Sequence, residues 1–290
     1  MDQGSRMKTY NVAGIILSFH YEHAQYFDNN IEHYEVDYEA EHHICVYTVN
    51  HIERPASAPH YSYKNRHFHQ EGDKHVFVVK TKNNDLKIRM EHTPDYKQQT
   101  IFLNRQHIKN IAEMEYVTSG LMFMQLALYK NVLPLHASAI THNNEAILFT
   151  GSSGTGKSTH AHHWLNTFEN TQIINDDKPL LHEQDGRIVV SGSPWSGKNA
   201  HNQNVTVPLK AVVFLEQGKN NIVSVPPKKL ALQRLFKDCM RPIDKTLMHN
   251  TLLLIETILD NTPYYHYTLT KSSESVQPIY DAVFNKKSKH

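Results

Sequence analysis

The stretch FTGSSGTGKSTHAHHWL, from Phe149 to Leu165, constrains this chain more than any other. Gly151, Gly156, Lys157 and Ser158 satisfy G-x-x-x-x-G-K-S/T with no residue out of place. Glycines let successive backbone N–H groups converge on phosphate oxygens with no Cβ in the way. The apolar run AILFTG ahead of the loop predicts a strand. Behind it, Ala161, Trp164, Leu165 and Phe168 recur at i, i+3, i+4 and i+7, which predicts an amphipathic helix starting near Lys157. A helix starting there aims its positive end at an anion. Gly151, Ser152, Ser153, Gly154, Thr155, Gly156, Lys157, Ser158 and Thr159 therefore form the expected phosphate loop. Lys157 is expected on the β- and γ-phosphates and Ser158 on Mg²⁺, so ATP and Mg²⁺ are the expected cofactors.

Asp176 and Asp177 follow the apolar run QIIN and fall at the C-terminal tip of an expected strand. Ligands of open α/β sheets gather at that edge. One acid is expected to hold Mg²⁺, the other to accept a hydroxyl proton or orient a nucleophile. His136, in LPLHASAI, is expected on the strand before the phosphate-loop strand, where it would tune an aspartate.

Composition narrows the partners. A formal net charge of +1 gives no field to steer in nucleic acid or a membrane surface. The longest apolar run falls well short of the roughly 20 residues of a membrane span. Two cysteines, Cys45 and Cys239, are too few for a disulfide framework. No signal-peptide pattern opens the chain, so cytoplasm is the expected location, and MDQGSR reads as a remnant ahead of a start at Met7. The 22 histidines follow no zinc spacing and read as surface residues.

The texture divides the chain into a β-rich region, 1–110, and a phosphate-loop domain, 111–290. In the first, HVFVVKT and LKIRM flank an Asn83-Asn84 turn as a hairpin, and GIILSF, HICVYTV and TIFLN add strands. Residues 111–131 read as a mostly buried helix. Later segments alternate between strands, with a hairpin at Gln184-Asp185-Gly186, and helices near Lys228–Cys239, Ile243–Leu259 and Ser275–Phe284. The polar loop Ser191–Asn204 carries Trp195 and Lys198, read either as substrate contacts or as an ordinary connection with a core-anchored Trp.

Together, LHASAI, GSSGTGKST and INDD resemble the catalytic domain of HPr kinase/phosphorylase, a fold related to ATP-dependent phosphoenolpyruvate carboxykinase. The resemblance covers about Leu133 to Gln217. It implies an α/β fold with a mixed-sheet P-loop kinase domain, preceded here by the β-rich (α+β) region. It implies that Asp176 is the acid/base aspartate, Asp177 its Mg²⁺-side neighbour, and His136 the histidine supporting the aspartate. The Glu-x-Arg-Gly signature of the bifunctional family is missing, and SGSPWSGKNAHNQN stands instead. That is more similar to divergent members in bacterial peptide-tailoring clusters, some of which phosphorylate a peptide serine. The implied partner is a hydroxyl-bearing acceptor; family members often form oligomers, so a homo-oligomer is a further expectation.

Two other functions fit the same residues. A carboxykinase-like enzyme would need several basic residues around a small dianion, and arginine is thin here. A nucleotide-sensing ATPase would carry the same loop and an acid after an apolar strand. Transfer of phosphate to an acceptor hydroxyl, rather than release as inorganic phosphate, separates the kinase from it.

Overall fold

The computed structural model describes residues 8–285 except 28, 198–200 and 243. Lys198, a start at Met7 and a helix start at Ile243 therefore lie outside the described residues. The chain divides into two compact units, Met1–Leu126 and Ala127–His290. The division falls inside helix α1 (Ile111–Tyr129) rather than ahead of it.

The first unit is built on one sheet. Its strands are β1 (Lys8–Val12), β2 (Ile15–His20), β3 (Glu35–Val36), β4 (His42–Val49) and β5 (Tyr61–Tyr63). They continue as β6 (Arg66–Glu71), β7 (Lys74–Lys80), β8 (Leu86–His92) and β9 (Gln98–Asn104). The order is β3-β1-β2-β4-β9-β8-β7-β6-β5. Asn84 takes a left-handed φ of 66°, which closes the β7–β8 hairpin. On β8, Leu86, Ile88 and Met90 are buried. Arg89 on the other face is not simply wet: it pairs with both Glu71 and Glu91. Strands β5 and β6, rich in Tyr, His and Gln, carry no apolar run and gave no sequence signal.

The second unit holds β10 (Leu133–Pro134), β11 (Ala137–His142), β12 (Glu145–Thr150), α2 (Lys157–Thr167) and β13 (Thr171–Asn175). Then come β14 (Leu180–Gln184), β15 (Arg187–Ser191), β16 (Thr206–Gln217) and β17 (Ile222–Ser224). Helices α3 (Lys228–Asp238) and α4 (Lys245–Asn261), β18 (Tyr264–Leu269) and α5 (Val276–Tyr280) complete it. The sheet runs β10-β14-β15-β16-β12-β11-β13, with β18 pairing β16 and β17. Strand β16 is long enough to pair β15 through its first residues and β18 through its last.

Strands β12, β16 and β18 are parallel. Strand β13 is antiparallel to β11, which is antiparallel to β12, so β13 also runs with β12. The C-terminal ends of β13, β12, β16 and β18 thus share one edge.

Both faces of this sheet are covered, as the period of two along its strands requires. Ile147, Phe149, Val213 and Leu215 pack with Ala161 and Trp164 of α2 and Val276 and Ile279 of α5. The alternate residues Leu148, Val212 and Phe214 pack with Ala231 and Leu235 of α3 and Ile255 and Ile258 of α4. The expected α2 stripe holds: Ala161 and Trp164 are buried, and Leu165 and Phe168 pack against the same cluster. No helix among the described residues is long and apolar enough to cross a membrane.

The α2 face carries a pH liability. His160 is 1 % exposed, accepts from the Trp164 indole N–H at 3.1 Å, and faces Ser275 Oγ at 3.3 Å. Burial pushes its pKa down to about 3, with a smaller push from His163. The unfolded chain binds this proton at higher pH than the folded one, so stability falls as pH drops from the ordinary value of 6.5 toward 3. At pH 5 the loss is on the order of 2 kcal/mol. Denaturant unfolding of His160→Gln should give a shallower loss between pH 6.5 and 5 than the parent; an identical slope counts against this assignment.

Candidate functional site

The glycine-rich loop begins where β12 ends. Gly151 has φ +153°, and a Cβ there would come within 2.7 Å of the Leu215 carbonyl oxygen. Only glycine lets the loop leave β12 this close to β16. Gly156 has φ +92° and immediately precedes α2, a left-handed position that a side chain would strain. Thr155 Oγ1 donates to the Ser152 carbonyl at 2.8 Å, tightening the curve. Lys157, 8 % exposed, folds back so that Nζ donates to the Gly151 carbonyl at 2.9 Å. Ser152, Ser153 and Gly154 are exposed, and Ser158 is half-buried.

The acids lie just past β13. Fully buried Asn175 accepts from the Asp177 N–H at 2.9 Å and the Lys178 N–H at 2.6 Å. Its amide donates to the Ser193 carbonyl at 2.8 Å, and Ser193 Oγ donates to the Lys178 carbonyl at 2.7 Å. The side chain thus caps the Asp176–Lys178 turn from inside. Asp177 Oδ1 accepts from His136 Nδ1 at 2.8 Å and from Lys178 Nζ at 2.9 Å. Asp176 Oδ1 accepts from Ser138 Oγ. A Cβ on Gly197 would stand 3.2 Å from that of Asp177, so the backbone at Gly197 packs against this side chain.

Electrostatics sort these groups. Burial pushes the Asp177 carboxyl up, but the His136 hydrogen bond and the Lys178 ammonium more than offset it and hold it below the ordinary value. Asp177 is therefore kept anionic. Burial pulls Lys157 below its ordinary value, opposed by the charges of Asp238, Asp177 and Asp176. The loop lysine and these carboxylates thus lie within each other's fields.

Asp238, at the end of α3, ties the site together. Its Oδ2 accepts from Thr150 Oγ1 at 2.6 Å, one residue before the loop. Its carbonyl accepts from the His136 N–H at 2.9 Å, and Cys239 bridges Leu135.

The structure brings Lys157, Asp176, Asp177 and His136 into one region, with two changes from the sequence reading. His136 is not on a strand: LPLHASAI breaks between β10 and β11, because Leu135 and His136 pair with the end of α3. It also bonds Asp177, not Asp176. Trp195 is 4 % exposed and so anchors its loop rather than facing a ligand. Arg234 lies beside Glu216 and the Phe214 ring, and Arg241 over Phe236. Ser138, Asn175, Lys178 and Asp238 were missed. Asn175 had a signal, an apolar strand ending in Asn before two acids; Asp238 had none, since it arrives from a distant helix.

A family model described as SynChlorMet cassette protein ScmC matches residues 103–236. Among solved structures, the HPr(Ser) kinase/phosphatase from Coxiella burnetii matches at 16% identity, over 44% of this chain and 94% of that one, with a TM-score of 0.25. A likeness that slight carries no argument about this chain's chemistry. Comparison with curated proteins gave no match.

Proposed function

We propose that this chain is an ATP- and Mg²⁺-dependent kinase that transfers the γ-phosphoryl group to a hydroxyl, of serine type, on a peptide, protein or small molecule. One observation carries the reading: a glycine-rich loop with a folded-back lysine and a fixed pair of carboxylates stand on the same edge of one sheet, at the ends of β12 and β13. The resemblance to peptide-tailoring kinases favours a peptide serine as acceptor.

In this reading the loop N–H groups and the start of α2 hold the phosphates. Lys157 leaves the Gly151 carbonyl for the β- and γ-oxygens. Ser158 and Asp177 suit a hard cation, being oxygen donors with the carboxylate kept charged by His136 and Lys178. Among the described residues no cluster of three His, Cys, Asp or Glu side chains gathers to hold a metal alone, so phosphate and water would complete the set. Mg²⁺, when bound, neutralises charge on the transferring group. Asp176 takes the acceptor proton as the acceptor O–P bond forms and the γ-P–O bond to ADP breaks. The test is incubation with γ-labelled ATP and serine-containing peptides. Label on a hydroxyl supports the kinase; label only in inorganic phosphate favours the ATPase.

A further inference from the structure

Strand β5 ends the sheet of the first unit: β6 lies on one side of it, and among the described residues no strand pairs with the other. An edge of this kind offers a row of backbone N–H and C=O groups to another strand. The two edges of this sheet differ. At the far end β3 is two residues long, and its Glu35 is bonded to Lys8. At β5, Tyr61 and Tyr63 alternate onto one face and stand 49 % and 54 % exposed. Register carries that face inward: Tyr61 pairs with Phe68 and Phe68 with Phe77, with ring centroids 5.5 Å and 4.7 Å apart. Arg66 pairs with Tyr63 and so shares the face.

The edge is cationic. No Asp or Glu interrupts residues 54–70, which hold Arg54, Lys64 and Arg66. Lys64 and Arg66 are exposed and make no ion pair among the described residues; Lys64 Nζ lies 5.2 Å from the Tyr63 ring centroid. Glu71, the next acid along the chain, is taken by Arg89. Lys80, whose N–H donates to the Asn65 carbonyl at 2.9 Å, and exposed Lys82 add to the charge at this end, against Asp85.

Charge alone would blunt an edge against pairing with its own kind. Two half-exposed tyrosines do not serve that purpose; they offer apolar contact to alternate side chains of an added strand. A second copy would set two acid-free edges side by side, with no carboxylate to answer either set of cations. The complement is an extended acidic segment. We infer that β5 is a docking edge for an acidic stretch of another polypeptide, which joins the sheet as a further strand, pairs its backbone with β5 and sets its carboxylates against Lys64 and Arg66. Nothing at this edge depends on the glycine-rich loop, so the docking edge stands or falls separately from the kinase reading.

Fluorescence anisotropy of the full chain with a labelled, end-blocked peptide alternating valine and glutamate tests it. The same peptide with lysine in place of glutamate should bind at least about tenfold more weakly. Lys64→Glu with Arg66→Glu should weaken the acidic peptide at least about tenfold and strengthen the lysine peptide, a gain that an unfolded variant would not show. Methylating alternate backbone nitrogens of the acidic peptide should abolish binding for the set that faces β5 and spare it for the other set. An acidic peptide that does not bind, equal binding of the lysine peptide, binding that survives the double charge reversal, or two methylated sets that act alike overturns the docking edge. So does sedimentation showing a dimer of the parent that the double charge reversal dissociates, which would make a second copy the occupant.

Discussion

Replacing Lys157 by alanine is expected to abolish the thermal stabilisation that the proposed site would draw from Mg²⁺-ATP. In the parent, ATP at about a hundred times its dissociation constant should stabilise the fold by about 2.7 kcal/mol, a rise in Tm of roughly 5–10 °C at the 2–4 °C per kcal/mol of a large domain. In the proposed site Lys157 is the cation that meets the phosphates. Its ammonium sits inside the loop on the Gly151 carbonyl and feels the charges of Asp238, Asp177 and Asp176. Without it, the carboxylates of Asp238, Asp177 and Asp176 meet the anion with Lys178 as the nearby ammonium among the described residues, and that ammonium is already bonded to Asp177. Differential scanning calorimetry with and without Mg²⁺-ATP reads the result. A variant stabilised as much as the parent counts decisively against the assigned phosphate site.

Asp176→Asn separates binding from chemistry. Asparagine keeps an oxygen to accept from Ser138 Oγ, so the turn capped by Asn175 should stand. ATP binding should stay within about threefold of the parent, because Asp177 and Lys157 are untouched. Phosphoryl transfer should fall by a factor of about 10² to 10⁴, the usual worth of a positioned base. Turnover at the parent's rate would remove Asp176 from the mechanism and leave it as a structural member of the turn. His136 and Lys178 hold Asp177 in its charged form, which in the proposed site suits it to a cation.

What was legible in the sequence follows from the range over which each signal acts. The glycine-rich loop, β12, α2 and the acid pair are local: glycine positions, a 3.6-residue stripe and an apolar strand followed by two Asp each lie within a few residues. Hairpins announced themselves as well, with Asn84 at φ 66° and Asp185 and Gly186 at 50° and 72°. Non-local features stayed hidden. His136 read as a strand residue because LPLHASAI is apolar throughout; the break comes from the end of α3, a hundred residues on, claiming the Leu135–His136 backbone. Asp238 belongs to the site for the same reason. Asn175 was readable in part: an Asn before two acids is turn chemistry, but its bond to Ser193 needed the fold. Trp195 was ambiguous because composition cannot tell a buried anchor from a substrate contact.

The most direct measurement is a crystal structure of the chain with a non-hydrolysable ATP analogue and magnesium. The account predicts the β- and γ-phosphates on the N–H groups of Gly151–Ser158, Lys157 moved from the Gly151 carbonyl to phosphate oxygen, and the terminal phosphorus facing Asp176 and Asp177. An analogue bound elsewhere, or one on the loop with its terminal phosphate turned toward β18, would contradict it.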